Sequence, residues 1–362
     1  MIKILSIGYP SSSYGGPYYV ANLFKKILNK DNIYVRNTYV KKKIIKYYFF
    51  HRKKINKYLS NFDIIHIHNI WSIENMVLAW LASRIGIPYI ISTHGNLNNW
   101  SMKNKNIIKI FFLFLFKKTI YNSRAFHILN KFEEEEISNN LETQKLKIFL
   151  LQNYIDLSKI NFIKKNDLPF KVLFFGRLTE KKGIFEFLKI IELFSIKNIK
   201  NIKFLFVGPK DEKFFLKFLD KINQYKINHL VEIRDKIEIF EEKKKLFYES
   251  DIFVLPSKDE ADSISVKEAL AFGRPVVISN NCKFNSNFEN KEFVKLITKF
   301  DKEKYFDAIM EFYNDKIKLI DNGEKIHSYA KNNYSIELIE NELSQIYYDC
   351  ISYTSKSKFW KN

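Results

Sequence analysis

The chain has 362 residues and a hydrophobic fraction of 46%, ample for ordinary cores and, at roughly 100–200 residues per domain, suggestive of two domains. Its two cysteines, Cys282 and Cys350, stand alone without a CxxC pair, which fits a reducing compartment and excludes a disulfide scaffold. The formal net charge of +20 asks for a partner: an anionic membrane surface ranks ahead of compositional drift, and nucleic acid ranks last because no nucleic-acid motif accompanies the charge.

The opening MIKILSI, residues 1–7, is too short for a signal peptide and reads as a first buried strand. Gly15 and Gly16 then precede the helical YYVANLFKKILNK. The first amides of such a helix suit a phosphate, although the pattern is neither GxGxxG nor GxxxxGK[ST]. Residues 41–58, KKKIIKYYFFHRKKINKY, hold no acidic side chain and interleave basic with aromatic ones, as a membrane-surface or nucleic-acid patch does. DIIHIH (63–68), PYIIST (88–93), AFHIL (125–129) and KIFLLQN (147–153) read as strands, with the helical SIENMVLAWLASRIG among them. IIKIFFLFLF (107–116) is the longest apolar run. It is about half of the ~20 residues a membrane span needs, and Lys109 interrupts it. Strand and helix in alternation predict a parallel sheet covered on both faces.

A charged stretch at residues 158–169 ends this rhythm, which then restarts with FKVLFFGR, a helix over about 182–195, KFLFVGP, a helix from 211, DIFVLPS, a helix from 265 and PVVIS. From residue 301 onward the pattern is helical, with aromatic stripes and no strand signal. The expected organisation is an α/β domain over 1–160, a second over 168–340 and a terminal helix over 341–362. Two doubly wound domains hold ligands in the cleft between them, at the carboxyl ends of the strands.

Two stretches carry the chemistry. In FFGRLTEKKG a buried strand ends at Gly176, Arg177 and Lys182 flank a short loop, and Gly183 opens a helix. Two cations at a strand's carboxyl end can neutralise a diphosphate without a metal. In PSKDEADSISVKEALAFG, Glu260 and Glu268 stand on either side of a turn. Ser265-x-x-Glu268 can be a capping box that serves only its own helix. Alternatively both glutamates face a ligand: Glu260 holds a sugar hydroxyl, Glu268 takes both hydroxyls of a ribose, and the amides at Asp262, Ser263 and Ile264 face sugar or phosphate. His66 and His68 lie two apart on one strand. They lack a third metal ligand and read as core or cleft lining, so no metal and no cofactor is expected.

These stretches resemble, in order and over nearly the whole chain, the retaining GT-B glycosyltransferases of family 4 (glycosyl transferases group 1). PSKDEADSISVKEALAFGRPVVIS resembles the family's glutamate, seven residues, glutamate signature, and FFGRLTEKKG its Gly-Arg…Lys-Gly loop. SSYGGPYYVANL is similar to its Gly-Gly loop and helix, DIIHIHNIW and STHGNLNNW to its strand ends, and LQNYID to its Asn-Gly-Ile-Asp. The sequence departs from the pattern at Ala261-Asp262-Ser263, where the family often has Gly-Phe-Gly, and at Tyr154, where it has glycine.

The resemblance implies two facing Rossmann-like domains, with a C-terminal helix crossing back to the first. It implies that Glu260 contacts the donor sugar, Glu268 its ribose, Arg177 and Lys182 the departing diphosphate, the Gly16 amide a phosphate, and His94 the sugar near the reacting carbon. Trp71, Trp100 and Tyr14 are candidates to contact an acceptor. The implied activity is transfer, with retention, of a hexose or N-acetylhexosamine from a nucleotide-sugar donor, UDP-sugar before GDP-sugar. The acceptor would be a surface glycan, free or lipid-linked, such as O-antigen, capsule or lipopolysaccharide. The expected setting is cytoplasmic, peripheral on the inner face of a bacterial inner membrane, with no nucleic-acid partner. The rivals are a nucleotide-sugar epimerase on the same fold and a non-enzymatic basic protein binding membrane or nucleic acid.

Overall fold

The computed structural model describes residues 1–9, 15–31, 33–40, 44–103, 107–141, 147–161, 169–284, 288 and 291–352, without the side chains of 44–49, 103 and 316–321. Tyr14, the first residues of the basic 41–58 stretch, most of the linker at 158–169 and the end of the 341–362 segment lie outside the described residues. Contacts divide the chain into two compact units: Met1–Tyr154 with Ile336–Asn362, and Ile155–Ser335.

The first unit runs β1 (Lys3–Ile7), α1 (Gly16–Leu28), β2 (Tyr34–Thr38), α2 (Ile44–Leu59), β3 (Ile64–Ile67), α3 (Ile73–Arg84), β4 (Tyr89–Ser92), α4 (Asn99–Lys103), α5 (Ile107–Tyr121), β5 (Ala125–Ile128), α6 (Lys131–Leu141) and β6 (Ile148–Leu150). Its strands form one parallel sheet in the order β2-β1-β3-β4-β5-β6. Every residue of β3, β4 and β5 is buried, as a parallel sheet with both faces covered requires. The order reverses between β1 and β3, so the crevice for a ligand opens at their carboxyl ends.

The second unit runs β7 (Phe170–Phe175), α7 (Ile184–Ile196), β8 (Ile202–Val207), α8 (Glu212–Gln224), β9 (Val231–Arg234), α9 (Phe240–Tyr248), β10 (Ile252–Leu255), α10 (Ile264–Ala271), β11 (Val276–Ser279), β12 (Val294–Ile297), α11 (Lys302–Asn314) and α12 (Lys316–Tyr334). The sheet is again parallel, ordered β12-β11-β10-β7-β8-β9, so its switch point lies between β7 and β10. The loops leaving those two strands are the FFGRLTEKKG and PSKDEADS stretches. Aromatic side chains fill this core: Phe174, Phe187, Phe204 and Phe206 are fully buried and in ring contact.

After α12 the chain returns to the first unit as α13 (Glu340–Ser352), which packs on α1 and β3. Three strands, β2, β9 and β12, have no counterpart in the sequence reading. All three are sheet edges, and their burial is broken or partial throughout. An edge strand of a parallel sheet lacks the continuous apolar run by which the central strands are recognised.

Candidate active site

In the second unit, close backbone crossings build the site. Gly208 has φ 151°, and a Cβ there would fall 2.1 Å from the Gly176 carbonyl oxygen, so the loops after β7 and β8 cross main chain to main chain. Gly183 has φ 74°, and a Cβ there would fall 1.9 Å from the Pro256 carbonyl oxygen. Only glycine lets the loop after β7 lie on the loop after β10 in this way. The Lys258 amide (2.8 Å) and the Ser257 hydroxyl (3.0 Å) both donate to the Lys181 carbonyl and fasten the crossing.

The crossing delivers two lysines to two buried carboxylates. Lys182 Nζ lies 2.7 Å from Glu260 Oε1 and Lys181 Nζ 2.7 Å from Asp259 Oδ2. Ser257 Oγ also lies 2.8 Å from Glu260 Oε1, so its single hydroxyl hydrogen is shared between that carboxylate and the Lys181 carbonyl, and Lys283 reaches Asp259 Oδ1 at 3.2 Å. Burial, with the Glu260 charge beside it, pushes the Cys282 thiol up, so it stays protonated. Arg177 is exposed on the same loop.

The capping-box reading of Ser265 and Glu268 is not what forms. Helix α10 starts at Ile264 with Ser263 as its N-cap, and Ser263 makes no side-chain cap bond. Ser265 is therefore already inside the helix, and its hydroxyl meets that of Ser263 at 3.1 Å. Glu268 is buried and binds Lys243 of α9 at 2.6 Å. The sequence carried no signal for Lys243, because α9 and α10 meet only in the folded unit. Asp262 turns into the protein and pairs with Lys267 at 2.6 Å, both side chains buried. Burial lowers the Lys267 pKa and Asp262 opposes that. The ammonium also lies 4.8 Å from the Tyr334 ring centroid.

In the first unit the histidines form a buried chain. His66 Nδ1 meets the Tyr347 hydroxyl of α13 at 2.5 Å and its Nε2 meets Ser92 Oγ at 2.6 Å. Ser92 Oγ meets His127 Nδ1 at 2.6 Å, and His127 Nε2 meets the Leu151 carbonyl at 2.7 Å. His68 Nδ1 lies 3.0 Å from His94 Nε2. Burial lowers all four pKa values, His127's to about 4, and mutual repulsion adds to the shifts of His66, His68 and His94. The ring nitrogens are thus neutral hydrogen-bonding groups at pH 7. His66 and His68 line the core, and among the described residues no three His, Cys, Asp or Glu side chains are placed to share a metal ion.

His94 sits at φ 47° in a turn closed by the Asn96 amide donating to the Thr93 carbonyl at 2.9 Å. The Trp71 indole donates to the Asn96 carbonyl at 2.8 Å and its ring packs on Phe112. Trp100 is half-buried in α4. Gly16 is the first residue of α1, after Gly15 at φ 67°. The sequence reading missed Glu133. It is buried at 1% exposure and accepts from the Gly95 amide at 2.7 Å, the Leu129 amide at 2.8 Å and the Thr93 hydroxyl. Its trace in the sequence is Asn130-x-x-Glu133, a capping pattern at the start of α6: Asn130 Oδ1 accepts from the Glu133 amide at 2.9 Å.

Two doubly wound parallel units, with helix α13 returned to the first, have the GT-B architecture. The chain belongs to glycosyltransferase family 4. The family model of that name matches residues 17–159, and the model for glycosyl transferases group 1 matches residues 158–334. An uncharacterized glycosyltransferase of Methanocaldococcus jannaschii is 31% identical over 242 residues, 61% of this chain. The match spans 58% of that relative, less than two thirds of its length. A UDP-Gal:alpha-D-GlcNAc-diphosphoundecaprenol alpha-1,3-galactosyltransferase of Escherichia coli is 23% identical over 314 residues, 81% of this chain and 76% of that one. Among solved structures, HepE of Anabaena in complex with UDP-glucose superposes with a TM-score of 0.77 at 13% identity, covering 96% of this chain and all of that one. That likeness is one of fold.

Proposed function

We propose that this glycosyltransferase moves a hexose or N-acetylhexosamine, with retention, from a UDP-sugar to a lipid-linked surface-glycan acceptor. The observation that carries the reading is the junction of the β7 and β10 loops, where Lys182 meets Glu260 at 2.7 Å. It offers a cation for a leaving diphosphate beside a carboxylate for sugar hydroxyls. Arg177 adds a second cation, and Glu268, held by Lys243 through Oε1, receives the ribose. In the transfer step the bond from C1 to the diphosphate oxygen breaks and a bond from C1 to the acceptor hydroxyl oxygen forms. The hydroxyl proton passes to the departing phosphate oxygen. Lys182 and Arg177 stabilise the charge that grows there, and His94 contacts the sugar. The E. coli relative's donor and its diphosphoundecaprenol acceptor support the choice of UDP-sugar and of a lipid-linked acceptor.

The test is ligand-induced stabilisation without added metal, using UDP, GDP, ADP, CMP and their common sugar conjugates, since a ligand of the folded state raises its melting point. UDP and one UDP-sugar should stabilise the wild type, and Glu268→Ala and Arg177→Ala should abolish the shift. Equal stabilisation of the variants would remove the donor-site reading. Turnover of the sugar nucleotide with no acceptor present would favour the epimerase instead.

The same reading places the enzyme on an anionic membrane surface through α5. Ile107, Ile108, Ile110, Phe111, Phe114 and Leu115 are each between 52% and 81% exposed, and Lys117 and Lys118 beside them are exposed too. An apolar face rimmed by cations is what an interfacial helix presents. No described helix is long and apolar enough to cross a membrane. The wild type should float with phosphatidylglycerol vesicles at low salt, and Phe111→Glu with Phe114→Glu should not. Failure of the wild type to float would sink the proposal.

A further inference from the structure

We infer that Glu133 is the positioning residue for His94, resting on the proposed contact of His94 with the donor sugar. His94 and Gly95 are the two central residues of a turn, at φ 47° and 73°. Glycine adopts that conformation freely, whereas histidine does so at a cost. Strain of this kind persists only where the surroundings over-determine it.

Glu133 supplies the strongest of the surrounding restraints. Its Oε1 takes the Gly95 amide at 2.7 Å together with the Thr93 hydroxyl, so it grips the turn on both sides of His94. Its Oε2 takes the Leu129 amide at 2.8 Å, which ties the grip to the end of β5. Burial raises the Glu133 pKa, and the three bonds it accepts oppose that shift, since each favours the ionised form, which offers acceptors only. The Ser101 hydroxyl holds the Gly95 carbonyl at 3.2 Å from the other side. What remains free to answer the donor is the His94 ring, oriented by His68 at 3.0 Å.

The experiment is a double-mutant cycle on the full-length enzyme, with initial rates measured against donor and acceptor. Glu133→Gln keeps the shape but puts an NH2 group against one of the three donors. It should lower kcat about tenfold with little change in donor KM, and it should cost nothing further in a His94→Ala background. Additive losses would assign Glu133 a structural role and overturn the inference. Wild-type turnover in His94→Ala alone would instead remove the reading of His94, and the inference with it. Should Glu133→Gln not fold, Thr93→Val removes one donor from Oε1, and its smaller loss of kcat should likewise vanish in the His94→Ala background. Persistence of that loss would count against positioning.

Discussion

At the scale of single residues, Lys182 and Lys267 make a contrast. Both are lysines paired with a carboxylate of the same loop, at 2.7 Å and 2.6 Å. Lys182 is partly exposed, at 22% of its side chain, so its ammonium can exchange Glu260 for a phosphate. Lys182→Ala should therefore leave the fold intact and lower kcat by roughly 10²–10³, the cost of one lost group that stabilises transition-state charge, as read by steady-state kinetics with circular dichroism as the control. Lys267 is fully buried, and its removal would take the ammonium away from the buried Asp262 carboxylate. Lys267→Met should cost about 3–5 kcal/mol in chemical denaturation, and adding Asp262→Leu should recover most of it. The sequence placed both carboxylates in one loop but could not say which pairs with the helix that follows. The structure pairs Asp262 with Lys267, on the inner face of α10, and Glu260 with Lys182 of the loop after β7. Glu133 was hidden for a related reason. It is the first of four consecutive glutamates, and only the fold distinguishes the one that turns inward.

Among elements, the ends of β3, β4 and β5 are joined by the histidine chain, and this makes the first unit acid-sensitive. His127 has a folded-state pKa of about 4, lowered from 6.5 by burial against the opposing pull of its bond to Leu151. A lowered pKa means that the unfolded chain binds the proton first. The stabilisation is complete above pH 6.5 and is lost as the pH falls toward 4, by about 3 kcal/mol for this group alone. His66, His68 and His94 shift in the same direction. The melting point should thus drop steeply between pH 6.5 and 4, and His127→Gln should flatten that drop. The loop junction of the second unit is constrained by sterics instead. Gly183→Ala puts a Cβ at φ 74° and 1.9 Å from a carbonyl oxygen, so the β7 loop must lift off Pro256. The expected result is a loss of UDP-induced stabilisation together with a lower melting point. The central strands of both sheets were legible because each is a short, mostly apolar run. The edge strands β2, β9 and β12 were not, because exposure on one side leaves them mixed in character.

For the whole molecule, the decisive fact is that the chain closes its first unit with its last helix. The sequence suggested a returning helix only through family resemblance; its apolar residues alone do not name a destination. In the structure α13 packs on α1 and β3, Tyr347 supplies the hydroxyl partner of His66 at 2.5 Å, and Ser344 and Glu340 bond to Asp31 and Lys30. The first sheet therefore cannot satisfy its buried histidine until α13 is in place, whereas the second unit, Ile155–Ser335, is built from one continuous segment. Tyr347→Phe removes only the hydroxyl and leaves a buried imidazole nitrogen without its partner, which costs about 1–3 kcal/mol. Native-state hydrogen exchange can locate that cost. Amides of β1, β3 and β4 should lose protection by that amount, while those of β7, β8 and β10 should keep theirs. Equal loss in both sheets would mean that the two units unfold as one, and that α13 stabilises the molecule rather than the unit it completes.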